Sequence, residues 1–268
     1  MHPMAEAYLD LMELVLTGVV IEDPPIVDDG HRRLFRDIAR SLSADADPDE
    51  AEMSRFQISW RERGLDRPMH ALTMVGLKRL RNFRTLINLA LDDGVEGDIL
   101  ETGVWRGGAS IMARAVLRAR GDERRRVIAA DSFEGLPPPD PRFAQDADST
   151  LHEQAELAVA LEAVRANFAR FGLLDDQVVF LKGWFRETMP TAPVTRLAVL
   201  RLDGDMYEST IDPLRHLYDR ISPRGWIIVD DYFIPACRAA VTDFLVSRRL
   251  DPDIHDIDGV GVYFQKTA

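Results

Sequence analysis

Four carboxylates stand close together in the second half of the chain. One stretch reads Arg201-Leu202-Asp203-Gly204-Asp205-Met206-Tyr207 and another Val229-Asp230-Asp231-Tyr232, each following an apolar run with the look of a buried strand. If the two runs are neighbours in a sheet, the acids converge at adjacent strand ends. There they raise one another's pKa and oppose folding. A hard divalent cation resolves that conflict, and oxygen donors are what Mg²⁺ prefers, with water or a substrate oxygen completing the octahedron. Two plainer readings stand beside it: the acids bind calcium or pair with Arg201 and other bases, or Asp203 and Asp205 cap the helix after Tyr207.

A second group lies earlier, where Glu101-Thr102-Gly103-Val104-Trp105-Arg106-Gly107-Gly108 passes directly into a helical pattern. Its glycines permit tight turning and close backbone approach to a ligand, and the helix N-terminus offers unpaired N–H groups. The next strand ends in Asp131, at the distance from the glycine turn where a carboxylate reaches a ribose hydroxyl pair in nucleoside-binding sheets. The turn is not G-x-G-x-x-G, and Glu101 just before it would repel the pyrophosphate of a dinucleotide. Beside the ammonium and sulfonium centres of S-adenosylmethionine a carboxylate is tolerated, so the residues favour that cofactor over a nicotinamide dinucleotide. Trp105 and Trp184, both at strand ends, either line the cofactor pocket or serve packing alone.

The elements that must position these residues begin at Gly97. Five apolar runs, DILETGVW, RVIAADSF, QVVFLKGW, RLAVLRLDGD and GWIIVDDYF, alternate with helical stretches over 109–120, 151–171, 209–221 and 235–249. That alternation predicts an α/β fold with a mostly parallel sheet. The closing IHDIDGVGVYFQK turns at Asp258 and Gly259, which adds an antiparallel last strand. In such sheets ligands bind beyond the carboxyl ends of the strands, at the switch point of strand order, and all the candidate residues fall there.

Ahead of the sheet, Tyr8, Leu11, Met12, Val15, Leu16 and Val19 predict a helix over 4–20, ended by Pro24 and Pro25. Further helices are expected over 31–42 and 69–91, with the acidic 43–50 as a solvated loop. Residues 1–95 thus read as an N-terminal helical cap and 96–268 as the core. The Pro- and Asp-rich stretch 134–150 is long for a compact domain and reads as a lid. The first helix either covers the sheet or makes a homodimer contact.

Composition narrows the field. The 268 residues carry 33 basic against 45 acidic side chains, a net charge of −12, which repels a phosphate backbone and argues against nucleic acid. The single cysteine, Cys237, can form neither an internal disulfide nor a thiolate cluster. The N-terminal apolar stretch is broken by Glu6, Asp10 and Glu13 and lacks signal-peptide features, and no run reaches the ~18 apolar residues of a membrane span. A cytoplasmic protein is expected.

The stretches GDILETGVWRGGAS, ADSFEGLPPPD, LRLDGDMYEST and GWIIVDDYF, with ALTMVGLKRLRN before them, resemble the macrocin O-methyltransferase family in order and spacing. That resemblance implies a Rossmann-like class I S-adenosylmethionine-dependent methyltransferase fold and a Mg²⁺-dependent methylation of deoxysugar hydroxyls on antibiotic glycosides. It implies that Glu101, Thr102, Gly103 and Ser110 surround the methionine part and ribose of the cofactor, within the turn that includes Val104, Trp105 and Arg106. Asp131 would meet the ribose, Ser132 the adenine, and Gly183, Trp184 and Phe185 the adenine and sugar pocket. Thr73 and Met74 would close over the cofactor. Asp203, Asp230 and Asp231 match the metal ligands, Asp205 the general base, and His152 with Glu153 the lid residues that face a glycoside acceptor.

Chemically, methyl transfer requires oxygen, carbon and sulfur nearly in line, and positioning supplies part of the rate. A sugar hydroxyl is a poor nucleophile until a cation acidifies it and a carboxylate removes its proton. Three rivals remain: a catechol-type metal-dependent methyltransferase, a glycosyltransferase that uses Asp203-Gly204-Asp205 as a D-x-D motif, and a cofactor-binding protein without catalysis. The long lid speaks for a wide mouth against the first. Asp230, Asp231 and Glu101 are left unexplained by the second.

Overall fold

The structure is a computed structural model that describes residues 1–42, 45 and 47–267. Its helices and strands run α1 (Pro3–Leu16), α2 (Asp29–Leu42), α3 (Glu50–Met53), α4 (Ile58–Arg63), α5 (Leu77–Asp92), β1 (Asp98–Thr102), α6 (Gly108–Ala119) and β2 (Val127–Asp131). They continue with α7 (Leu161–Arg170), β3 (Val178–Lys182), α8 (Phe185–Thr188), β4 (Leu197–Leu202), α9 (Tyr207–Leu217), β5 (Ile221–Val229), α10 (Pro235–Arg248), β6 (His255–Asp256) and β7 (Val262–Gln265).

The seven strands form one sheet in the order β3-β2-β1-β4-β5-β7-β6. Strands β1 to β5 pair in parallel, and β7 runs antiparallel to both β5 and β6, as the sequence predicted. All six residues of β4 are buried, as a strand covered on both faces requires. The order reverses between β1 and β4, so the chain has its switch point there. Their register sets Glu101 opposite Arg201 and Thr102 opposite Leu202. Neighbouring side chains in register share a face, which brings Arg201 against Glu101.

One face of the sheet packs under α1, α5 and α6, whose Leu9, Leu16, Leu80, Phe83, Ile111 and Val116 join Ile99, Val127 and Val199 in one apolar cluster. On the other face, α9 and α10 supply Ile211, Leu214, Val241 and Phe244 against Leu100, Leu200 and Ile227. A small satellite of Phe35, Met53 and Trp60 lies under α2 to α4. Among the described residues, no helix is long and apolar enough to cross a membrane.

Several predicted boundaries move. Helix α1 ends at Thr17, before Gly18 turns left-handed at φ 72°, and not at Pro24 and Pro25. The helix expected over 69–91 starts at Leu77, after Gly76 at φ 83°. The segment ahead of it is held extended: Asp23 Oδ2 accepts from the His70 and Ala71 N–H groups at 2.8 and 2.6 Å, and Leu16 O accepts from those of Leu72 and Thr73 at 3.0 and 3.3 Å. The helix expected over 151–171 begins only at Leu161, and two 3₁₀ turns, Leu151–Glu153 and Ala155–Leu157, precede it. In the acidic stretch, Ser43, Ala44 and Ala46 lie outside the described residues, while Asp49 caps α3 through a capping box with Glu52.

Candidate active site

A cavity of about 550 Å³ opens at the carboxyl ends of β1, β2, β4 and β5, a size suited to a small-molecule ligand. Fifteen of the predicted residues line it. Thr73 and Met74 come from the extended segment, Glu101, Gly103, Val104 and Trp105 from the turn after β1, and Asp131 and Ser132 from the end of β2. Gly183, Trp184 and Phe185 follow β3, Asp203 and Asp205 follow β4, and Asp230 and Asp231 follow β5.

Five predicted residues do not line the cavity. Thr102 is fully buried within the sheet. Ser110 is buried one layer back, where its hydroxyl donates to Glu101. Arg106 donates to the carbonyls of Pro68 and Ala71 at 3.3 and 2.9 Å, with its guanidinium 4.1 Å from the Trp105 ring centroid. His152 and Glu153 are exposed, away from the cavity lining.

The glycines have sharper reasons than the sequence supplied. A Cβ on Gly103 would stand 1.5 Å from the Asp203 carbonyl oxygen, so its bareness serves the contact between two strand ends rather than ligand approach. At the start of α6 the Gly108 N–H is not free for a ligand, because it donates to Leu72 O at 2.9 Å.

Electrostatics at the floor depends on two buried arginines. Arg201, fully buried, donates to Glu101, to Asp203 at 2.9 Å and to Asp230. Arg79, on the buried face of α5, donates to Asp230 and, at 3.1 Å, to Asp258. The reading in which the acids pair with bases therefore holds for Asp203 and Asp230. Asp205 and Asp231 have no ion pair among the described residues; the Asp205 N–H donates to Asp231 Oδ2 at 3.1 Å.

Burial and neighbouring acids push up what the arginines leave unanswered. Desolvation raises the Asp205 carboxyl to about 7, with Asp203 and Asp230 adding to it. Asp231 lies well above the ordinary carboxylate range, from burial first and then from Asp205, Asp203 and Asp230. Asp203 is raised by burial and Asp230 against the pull of Arg201. Glu101 is lifted to about 7 by burial, with Arg201 and Ser110 pulling the other way.

These side chains fit a metal. Asp203, Asp230 and Asp231 each offer a carboxylate oxygen, and the three oxygens lie within 4.8 Å of one another. The donors are hard carboxylate oxygens, and Asp231 forms no ion pair among the described residues that would fill the cation's place. The nearby thiol of Cys237 is pushed up by burial and by Asp231, so it stays protonated and outside the donor set.

At the end of β2, Asp131 Oδ2 accepts from Val104 N–H at 2.6 Å and Oδ1 from Phe133 N–H at 2.7 Å. The carboxylate thus ties the turn after β1 to the turn after β2 while keeping lone pairs toward the cavity. Neither Asp203 nor Asp205 caps α9. That role falls to Asp146, buried in the loop after β2, whose two oxygens accept from Tyr207 and Glu208 N–H at 2.7 and 2.9 Å.

Arg79, Asp146, Asp258 and Arg67 are the residues that sequence reasoning missed. Arg79 alone carried a signal, since it shares a helical face with the apolar Leu80, Phe83 and Ile87. The others act across long sequence separations, and nothing local marks them.

The model of the TylF macrocin-O-methyltransferase family matches residues 5–266. The chain is 51% identical over 268 residues to 8-demethyl-8-(2,3-dimethoxy-alpha-L-rhamnosyl)-tetracenomycin-C 4'-O-methyltransferase of Streptomyces olivaceus, covering 98% of this chain and 94% of that protein. It is 45% identical over 267 residues to mycinamicin III 3''-O-methyltransferase of Micromonospora griseorubida, covering 98% and 97%. Among solved structures, the O-methyltransferase NovP superposes with a TM-score of 0.87 at 42% identity, covering 98% of this chain and 100% of that one. The calicheamicin methyltransferase CalS11, at 20% identity and a TM-score of 0.58 over 90% and 95%, shares the fold. With its sheet order, its cavity and these relatives in agreement, the chain belongs to the macrocin-O-methyltransferase family and is an S-adenosylmethionine-dependent O-methyltransferase.

Proposed function

We propose that this enzyme methylates a deoxysugar hydroxyl on a glycosylated natural product of antibiotic biosynthesis, and that it does so with a bound Mg²⁺. The observation that carries the metal is the cluster of Asp203, Asp230 and Asp231, whose charge Arg79 and Arg201 offset only in part. The substrate class rests on the relatives, two of which are named for methylating glycosylated tetracenomycin and mycinamicin.

In this reading Glu101, held by Arg201 and Ser110, faces the cationic end of the cofactor, and Asp131 takes the ribose hydroxyls. Thr73 and Met74 close over them from the extended segment. Asp203, Asp230 and Asp231 would hold the cation, which supplies Lewis acidity to an acceptor hydroxyl. Asp205 then takes the hydroxyl proton as general base, and its pKa near neutrality suits that task. Residues 1–95 serve as the cap, and 134–150 as the lid that keeps water from the reaction.

Two measurements test this. Incubation with S-adenosylmethionine and a rhamnosylated tetracenomycin or a mycinamicin should give a product heavier by one methyl group, and EDTA should abolish it until Mg²⁺ is restored. Thermal melting should rise with S-adenosylhomocysteine and rise further with Mg²⁺. Full turnover in EDTA sinks the metal, and the absence of methyl transfer to every glycoside tried sinks the substrate class.

A further inference from the structure

The lid presents a different residue to the acceptor than its sequence advertises. Its continuation, 151–157, is two short 3₁₀ turns joined at Gln154, whose own backbone is extended. Leu151, Gln154 and Leu157 all line the cavity, whereas His152, Glu153 and Glu156 are exposed. Gln154 is thus the polar group between two apolar neighbours.

Its orientation is fixed. Arg67 Nη2 donates to Gln154 Oε1 at 3.0 Å, and a guanidinium has only donors, so the amide oxygen must face it. The amide NH₂ has no acceptor among the described residues. Arg67 is itself anchored by Asp28 at 3.1 Å and by Glu156, and the indole N–H of Trp105 donates to the Glu156 carbonyl at 3.0 Å. These contacts tie Arg67, the turn after β1 and the 151–157 segment together, and leave the Gln154 amide NH₂ at the cavity wall without a partner among the described residues.

We propose that Gln154 is the specificity-determining lid residue, and that its amide donates to an acceptor-only oxygen of the substrate, a methoxy or glycosidic ether oxygen. This rests on the glycoside reading above. Such an oxygen does not react, so the contact is made equally in ground and transition states and its loss appears in KM rather than kcat.

Gln154→Glu keeps the shape and the Arg67 contact but removes both donors. With the rhamnosylated tetracenomycin as acceptor, it should raise acceptor KM by roughly tenfold, the size of one lost polar contact, with kcat nearly unchanged. S-adenosylhomocysteine affinity, read calorimetrically, should stay at the wild-type value in both Gln154→Glu and Gln154→Leu, which separates the effect from misfolding. His152→Ala should leave all three quantities alone. The inference is overturned if Gln154→Glu matches wild type in acceptor KM, or if His152→Ala carries the loss instead. Wild-type turnover of the same acceptor tests the glycoside reading separately.

Discussion

Asp205, the proposed general base, has an unusual backbone: its φ is 60°, in the left-handed region that most side chains avoid. Asn tolerates that conformation about as well as Asp, so Asp205→Asn removes the base with little backbone penalty. Turnover should fall by roughly 10²–10⁴-fold, the usual worth of a positioned proton acceptor, while cofactor affinity stays unchanged. Calorimetry and single-turnover rates on the same preparation check this, and an Asn enzyme with normal turnover removes Asp205 from the mechanism. At this scale the acids, the glycine turn and Asp131 were legible because chemistry selects residue types that composition makes conspicuous. Arg201 was legible as a partner because it stands two residues before Asp203, whereas Arg79 is one basic residue among 33, and only the folded contact with Asp230 reveals what it neutralises.

At the scale of elements, the loop 134–150, the proposed lid, is tied to the core by a helix cap supplied from 61 positions away, where Asp146 receives the first N–H groups of α9. Asp146→Ala should cost ~1–2 kcal/mol in stability, the ordinary worth of a cap. Because α9 follows Asp205 directly, hydrogen exchange should quicken at Tyr207 and Glu208 and across 134–150 together; quickening confined to one of them refutes the link. The strands were legible because runs such as LAVLRL leave no other structure for a segment buried on both sides. Helix starts were less so. Leu151 to Leu157 has apolar spacing compatible with an α-helix, yet the segment forms two 3₁₀ turns tied to Arg67 and Trp105, which sets Gln154 on the cavity wall and leaves His152 exposed.

For the whole molecule, the raised carboxyls make the metal-free protein a proton sponge relative to its unfolded chain. Asp205 at about 7, and Asp231 raised further by its neighbours, bind protons in the folded state that an unfolded Asp, near ~3.9, has released. The stability they contribute is fully present below the unfolded value and is lost as pH rises through the folded one. In EDTA, the melting temperature of Asp205→Asn should therefore gain on wild type between pH 5 and pH 8, by ~2–4 °C for each kcal/mol recovered. Adding Mg²⁺ should erase that gain, and a difference independent of pH refutes the account. The overall architecture followed from periodicity and strand count, whereas the charge balance depends on contacts between α5, β4 and β5 that only the folded chain makes.

The contact at Gly103 reaches furthest. Since not even a methyl fits between it and the Asp203 carbonyl, the tips of β1 and β4 touch backbone to backbone, and any side chain at 103 would have to push them apart. Redesign of what this enzyme accepts then has its room in the walls of the cavity and the corner at Arg67, and none at the seam between β1 and β4.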